Sequence, residues 1–257
     1  MYDKNKITLN HIRSKKAKNL KVKLFFIKLF EDAIDRLDIN RSKPASLLEI
    51  NAKNDLLENV LKKRKIESEI LHTTFIDELK KNRKNFFLEN LKLSKVENEK
   101  VNYCIGIFPI VTPTDINIKL KSIHRVLSNE GKFLLMFHAS QSCTQLKEMF
   151  KDILKLKIEK SFLPCFDIIS LGNVANSVGF KNVVVDISKF VITIKKSTEI
   201  FRFIRDLGES NYLESRNKKS ICRLEFQNFN YAINSLIDKK KYATDFSIIF
   251  LTGTKKV

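Results

Sequence analysis

The chain has 257 residues, 43% of them apolar, which is enough to bury the core of one large domain or two small ones. No apolar run approaches the roughly 18 residues of a membrane span, and the N-terminus lacks the apolar stretch of a signal peptide. The four cysteines form no Cys-x-x-Cys pair. We therefore expect no disulfide framework, no metal site and a reducing cytoplasmic location.

The net charge of +19, with a pI of about 9.7, allows two interpretations. A nucleic acid or an anionic membrane could be the partner, or a compositional bias toward lysine could simply decorate the surface. The basic residues are spread along the chain, and no RNA-binding aromatic motif or helix-turn-helix pattern is present. The pattern favours a generally basic surface, with charge-driven nucleic-acid binding as an alternative.

Residues 1–45 are predicted to form a helical N-terminal extension. Apolar residues recur there with a period near 3.6, so one helix face should pack on the body of the protein. Pro44 ends the segment. The residues of the apolar face are Phe25, Phe26, Ile27, Phe30, Ala33, Ile34 and Leu37.

Residues 46–138 alternate between short apolar runs and helical patterns, which is typical of βαβ units with a parallel sheet. Gly131 is expected to take the left-handed position in the turn before the last of these strands. Strands are predicted at 46–50, 66–71, 86–88, 101–109 and 132–138, and helices at 56–61 and 116–127.

Residues 139–257 contain helical patterns at 144–156, 169–177, 198–207 and 216–237, and strands at 183–186, 190–194 and 246–252. The tail strands can run antiparallel, so the sheet should be mixed. We predict one α/β domain over 1–257: a Rossmann-like, doubly wound, seven-strand mixed sheet with a C-terminal helical insertion. Residues 46–138 would form its cofactor-binding half, and 139–257 its substrate or partner half.

The turn after the first strand has the outline of a nucleotide-binding site. Glu49 lies near the end of the apolar strand, and a helix begins shortly after it. Working sites of this kind use glycines in the turn, because glycine reaches positive φ without penalty and lets the backbone approach the ligand. Here Asn51, Lys53 and Asp55 occupy those positions. The groups that would bind the ligand are therefore replaced.

Several segments in a shared order are similar to one family. They are D-L-G-E-S-N at 206–211 with R-N-K at 216–218, G-F at 179–180 followed by V-D at 185–186, I-H-R-V-L at 123–127 with Gly131, and D-R-L at 35–37. The chain resembles class I S-adenosylmethionine-dependent methyltransferases. More narrowly, it resembles the branch that contains the mitochondrial complex I assembly factor that hydroxylates an arginine, together with its bacterial relatives.

The resemblance implies an S-adenosylmethionine site at Glu49, Asn51, Lys53, Thr73 and Asn102. Of the family's motif positions, Glu49 keeps its acid. Thr73 stands where an acid would hold the ribose hydroxyls, and Asn102 replaces the aspartate that begins the fourth strand. The family's aromatic wall, L-H-W, reads I-V-T at 110–112. Together these losses predict poor binding of the cofactor or none.

A second candidate site, for a substrate or protein partner, comprises Glu209, Ser210, Asn211 and Arg216, which the resemblance places over the substrate side of the cleft. The competing interpretation is a helix end, with Gly208 stopping one helix and Ser210 or Asn211 capping the next.

His138, at the end of a predicted strand, is the one histidine considered for catalysis, although a structural role competes with it. No catalytic residue is assigned from the sequence.

Three functions follow from these patterns. The first is a degenerate methyltransferase-fold pseudoenzyme that acts through protein–protein contact, as an assembly factor does. The second is an active methyltransferase, or an arginine hydroxylase, with a rebuilt pocket near Glu49, Thr73, Asn102 and His138. The third is a charge-driven nucleic-acid binder.

Overall fold

The computed structural model describes residues 2–39, 44–53, 55–74, 86–88, 92–218, 221–239 and 244–256, with 86–88 described by their backbone. The helices are α1 (Lys4–Lys16), α2 (Leu20–Leu37), α3 (Leu56–Lys63), α4 (Ile116–Val126), α5 (Thr144–Asp152), α6 (Ile158–Ser161), α7 (Ile168–Val178), α8 (Ser197–Leu207) and α9 (Arg223–Asp238). The strands are β1 (Ala45–Ile50), β2 (Ser68–Thr74), β3 (Phe86–Leu88), β4 (Val101–Ile107), β5 (Leu127–His138), β6 (Phe180–Ile192) and β7 (Thr244–Lys255).

The seven strands form one sheet in the order β3-β2-β1-β4-β5-β7-β6. Strand β1 pairs in parallel with both β2 and β4, and the parallel pairing extends to β3 on one side and β5 on the other. The chain therefore winds outward in both directions from β1 and β4. In open α/β sheets, ligands bind beyond the carboxyl ends of the two strands where the winding direction reverses.

Strand β7 runs antiparallel to β5. At one end of the pair, Ala139 N–H donates to Ser247 O at 2.8 Å. At the other, Lys255 Nζ donates to Leu127 O at 2.9 Å. Because rising numbers on one strand meet falling numbers on the other, the two strands have opposite directions. The predicted seven-strand mixed sheet with Rossmann-like winding is confirmed.

The chain forms two compact units. Unit 1 comprises 1–22, 139–165 and 189–248, and unit 2 comprises 23–138, 166–188 and 249–257. Whether 1–257 acts as one functional domain stays a prediction. The core of unit 2 holds the apolar side chains of β1, β4 and β5, including Leu47, Leu48, Ile105 and Leu134, each with no exposed surface.

Most predicted elements are confirmed, including the N-terminal helices. The apolar face of α2 is buried, apart from the half-buried Ile27. Gly179 ends α7 in the left-handed conformation, with φ of 107°. No helix in the described ranges is both long enough and apolar enough to cross a bilayer.

Three local predictions are wrong. Glu130, with φ of 58°, takes the left-handed position expected of Gly131, because the chain loops out between Leu127 and Lys132, which pair with Val101 and Tyr103.

The helix predicted to begin at residue 216 begins at Arg223. A capping box fixes this start: Cys222 Sγ accepts from Glu225 N, and the Glu225 carboxylate accepts from Cys222 N at 2.9 Å. The two tail strands predicted at 183–186 and 190–194 are one continuous strand, β6.

Gly106 tests how tightly the middle of the sheet is packed. A Cβ at this position on β4 would lie 2.7 Å from Leu135 Cδ2 and 3.4 Å from Ile50 Cβ. We predict that Gly106→Ala lowers the free energy of unfolding by about 1–3 kcal/mol, through overpacking. Gly172→Ala, inside helix α7, is the matched control. Among the described residues, a Cβ at Gly172 would meet only Val185, at 3.4 Å. Gly172→Ala should raise stability by about 0.5–1 kcal/mol. Chemical denaturation measures both, and equal effects would contradict the packing.

Candidate functional site

Glu49 lies at the carboxyl end of β1, beside the reversal point of the sheet, and is 1% exposed. Parallel pairing puts Glu49 opposite His72 on β2. Glu49 Oε2 lies 2.7 Å from His72 Nδ1, and Glu49 Oε1 accepts the Lys53 N–H at 3.0 Å. Both oxygens of the retained acid are thus engaged by the chain itself.

His72 lies between two carboxylates. Its second ring nitrogen, Nε2, is 3.3 Å from Glu58 Oε1 on α3, and His72 is 2% exposed. The acid–histidine–acid row ties β1, β2 and α3 together at one edge of the sheet. Within the described ranges, no group of three or more histidine, cysteine or acidic residues is placed to hold a metal ion.

Asn51 begins the turn after β1 in the left-handed conformation, with φ of 59°. Asparagine is one of the few residues besides glycine that visits this region routinely. Its side chain, 1% exposed, is directed across the reversal point to the end of β4. Asn51 Nδ2 donates to Phe108 O at 2.7 Å and to Ile107 O at 3.4 Å. An amide side chain therefore bridges the two strand ends at which a ligand would approach.

The backbone of this turn is also hydrogen-bonded internally. Asn51 N–H donates to Thr73 Oγ1 at 3.3 Å, and Ala52 N–H donates to Thr73 O at 2.9 Å. With the bond from Lys53 N–H to Glu49, three consecutive amides of the turn point into the chain. The Thr73 hydroxyl itself donates to Glu49 O at 3.4 Å and is fully buried. Thr73 holds the loop rather than facing outward.

The Lys53 side chain leaves the turn toward α2. Its ammonium lies 5.2 Å from the centre of the Phe26 ring, within the range of a cation–π contact. Phe26 also lies near Phe108, with ring centres 6.4 Å apart. The lysine that replaces the second glycine of the motif therefore lies over the ring of Phe26.

His138 ends β5, where its ring stacks on Phe108 with centres 4.0 Å apart and planes 14° from parallel. Phe108 takes φ of 50°, which is unusual for a bulky residue, and its carbonyl is the one that accepts from Asn51. The ring of His138 thus belongs to the wall around the Asn51 bridge.

Asn102 is not part of this group. It lies at the amino end of β4, where its amide donates to Ser128 Oγ at 2.9 Å on the exposed surface. Parallel strands put their amino ends at the opposite edge of the sheet from Glu49. The resemblance matched Asn102 to an acid of the cofactor site, whereas the structure puts Asn102 at the edge of the sheet opposite Glu49.

The second predicted site, residues 209–216, lies in unit 1, where it is hydrogen-bonded to neighbouring segments. We call residues 209–216 the clasp. Gly208 ends α8 with φ of 81°. Asn211 Nδ2 donates to Lys160 O and Phe162 O, both at 3.1 Å, and its Oδ1 accepts from Leu213 N. Ser210 O accepts from Asn10 at 2.6 Å. The helix-end interpretation is confirmed for Gly208, whereas Ser210 and Asn211 cap none of the helices that the structure describes.

Arg216 joins the clasp to the start of α1. Its guanidinium is 2.8 Å from Asp3 Oδ2 and donates to Leu213 O at 3.0 Å. Glu209 precedes these residues on the half-exposed turn after α8. The four predicted residues are therefore neighbours in sequence, while Asn211 and Arg216 point to different partners.

Sequence reasoning missed His72, Glu58 and Phe108. No motif marks them, because their roles depend on which strand lies beside which and on the register of β1 and β2. Nucleophilic chemistry gains no support in unit 1 from Cys143, since burial raises the pKa of its thiol to about 12.

No protein-family model matches the chain. Its sequence is 25% identical over 205 residues to a candidate methyltransferase, RP459, of Rickettsia prowazekii, an alignment that covers 76% of this chain and 88% of the relative.

Solved structures share the fold at low identity. A candidate methyltransferase from Bacillus halodurans superposes with a TM-score of 0.55 at 9% identity, over 89% of this chain and 99% of that one. The YcgJ protein of Bacillus subtilis gives 0.53 at 13%, over 90% and 98%. Haemonchus contortus phosphoethanolamine N-methyltransferase 2, in complex with S-adenosyl-L-methionine, gives 0.50 at 12% over 90% of this chain. This chain spans 53% of that enzyme's length. The protein thus has the fold of class I S-adenosylmethionine-dependent methyltransferases.

Proposed function

We propose that this protein is a methyltransferase-fold pseudoenzyme that does not take up S-adenosylmethionine and acts by protein–protein contact, in the manner of an assembly factor. The observation that carries the proposal is the closed hydrogen bonding of the turn at residues 51–53. A glycine-rich turn binds a nucleotide-type ligand with backbone N–H groups that point outward. Here all three amides donate to Thr73 and Glu49.

The residues present do not fit the cofactor that the fold family uses. The Asn51 side chain occupies the gap between the ends of β1 and β4 and donates to the carbonyls there. The carboxylate of Glu49 is held by His72 and the Lys53 amide. A ligand would have to displace several buried hydrogen bonds, each costing about 1–3 kcal/mol when left unmade.

Exposed apolar side chains on α9 support the protein-contact half of the proposal. Leu224 is 65% exposed and Tyr231 is 78% exposed. They are seven residues apart, so they lie on the same face of the helix. An exposed aromatic and an aliphatic anchor on one helix face are typical of a surface that a partner protein covers. We call Leu224 and Tyr231 the α9 anchors.

The first test is a titration with S-adenosylmethionine. We expect no binding heat up to about 1 mM ligand, and a change in melting temperature below about 1 °C. Purified wild-type protein is compared with the double variant Asn51→Gly/Lys53→Gly, which restores two glycines of the motif. Micromolar uptake by the wild type would overturn the proposal in favour of an active methyltransferase or hydroxylase.

The second test isolates the bridge made by Asn51. Asn51→Asp keeps the size of the side chain but replaces the donor with a carboxylate that faces two carbonyls. We predict a loss of about 2–3 kcal/mol in the free energy of unfolding. Asn51→Gly removes the bonds but suits the positive φ, so it should cost less, about 1 kcal/mol. Urea denaturation compares the three proteins. If Asn51→Asp is as stable as the wild type, the amide does not bridge the strands.

The third test concerns the α9 anchors. In extracts of cells that express the protein, the wild-type chain should capture a specific partner that the double variant Leu224→Glu/Tyr231→Glu loses at least tenfold. Asn51→Gly is the control and should retain the partner, because it lies in unit 2. Circular dichroism verifies that the α9 variant is folded. Equal capture by both variants would show that the partner binds elsewhere.

A further inference from the structure

Unit 1 carries a group of positive charges around one carboxylate. The cations are Lys6 and Arg13 on α1, and Arg216 and Lys218 on the segment after α8; the carboxylate is Asp3. We call these four basic residues the cation cluster. The proposed function does not use them, although Arg216 belongs to the segment that the sequence comparison singled out.

Asp3 fixes the geometry of the cluster. It caps α1 by accepting the Lys6 N–H at 3.0 Å, and its other oxygen pairs with the Arg216 guanidinium at 2.8 Å. Arg216 also donates to Leu213 O at 3.0 Å, and its side chain is only 19% exposed. Asp3 N–H donates to Tyr212 O at 2.9 Å, so both segments are tied at their backbones. The guanidinium is therefore held in place.

Helix geometry puts Lys6 and Arg13 on the same face of α1, because they are seven residues apart, close to two turns. Arg13 is exposed, whereas Lys6 is partly buried beside the clasp. Lys6 lies in the first turn of α1, where the helix dipole adds positive potential, whereas Arg13 lies in the last turn.

The electrostatics show that the cations crowd one another. Burial lowers the pKa of Lys6, and the positive charges of Arg13 and Arg216 lower it further, while Asp3 acts weakly in the opposite direction. The pKa of Asp3 is also held below its ordinary value, first by the bond from Lys6 N–H and then by Arg216, with a contribution from Lys218. Lys6, Arg216 and Lys218 thus lie near the Asp3 carboxylate, and Arg13 adds to the repulsion on Lys6, so an added anion would relieve the repulsion.

We propose that the cation cluster is a binding site for the phosphate group of a phosphorylated compound. A phosphate carries up to two negative charges and several acceptor oxygens, which suits a fixed guanidinium flanked by an ammonium and a second guanidinium. A mononegative carboxylate would leave more of the repulsion in place. The same chemistry occurs in a soluble phosphomonoester and in a lipid headgroup.

The experiment titrates inorganic phosphate and pyrophosphate into the full-length protein at constant ionic strength, with chloride as the balancing salt. We expect pyrophosphate to bind with a Kd below about 1 mM. The double variant Lys6→Gln/Arg13→Gln should bind at least about tenfold more weakly, because two charge-assisted contacts are lost. Lys15→Gln/Lys16→Gln is the matched control on α1: it removes the same charge from exposed positions and should change the Kd less than about twofold.

A second readout follows the Lys6 ammonium by NMR. Bound phosphate favours the charged form, so the pKa of Lys6 should rise on addition of the ion, which a purely structural lysine would not show. Vesicles containing phosphatidate form the other arm. Binding to them through Lys6 and Arg13, without uptake of soluble ions, assigns the phosphate to a lipid headgroup.

Two outcomes would overturn the proposal. One is the absence of uptake of phosphate, pyrophosphate and phosphatidate vesicles. The other is an equal loss in both double variants, since that would indicate a diffuse basic surface or a nucleic-acid binder. Because the cation cluster lies in unit 1 and the Asn51 bridge in unit 2, the proposal stands or fails separately from the proposed function.

Discussion

The bridge from Asn51 to the end of β4 is the constraint on which the interpretation of unit 2 depends. Parallel strands that wind outward from a centre leave a gap between their carboxyl ends, and backbone carbonyls at that gap need donors. In this chain the donor is an amide side chain one residue beyond β1. The left-handed backbone of Asn51 aims the amide at the gap, and the two N–H groups that follow donate to Thr73 and to Glu49.

The neighbouring residues extend this closure. Glu49 and His72 meet because β1 and β2 are in register, and Glu58 approaches the far side of the imidazole from α3. On the other side, Phe108 offers its carbonyl to Asn51 and its ring to His138. Each element at this edge thus supplies a hydrogen-bonding or stacking partner for another.

The fold could be predicted from the sequence because the patterns that mark its helices and strands are local. Apolar runs of strand length alternating with helical periods predict parallel βαβ units, and Gly179 and Gly208 mark helix ends that the structure has. The resemblance to methyltransferases added the prediction that the first turn and Glu49 belong to a cofactor site. The start of α9 was missed because the sulfur of Cys222 serves as the cap, a role that sequence patterns assign to serine, threonine, aspartate or asparagine.

The candidate site could be predicted from the sequence only in part. Substitution of glycine by asparagine predicts that cofactor binding is weakened. It does not predict that the new side chain bridges the ends of two strands. That requires the spacing of β1 and β4. For Asn102 the prediction failed in a different way. The family motif predicted a cofactor residue there, but the residue lies at the edge of the sheet away from the site. Long-range pairs such as Asp3 with Arg216 leave no periodic trace in the sequence.

The internally bonded turn also bears on how the protein responds to metabolism. An enzyme that binds its cofactor through open backbone donors gains part of its stability from that small molecule, so its folded population follows the cellular supply. When the N–H groups of the turn donate to other groups of the chain, this part of the stability comes from the polypeptide and not from a ligand. Such a protein would keep the same folded population in starved and in well-fed cells.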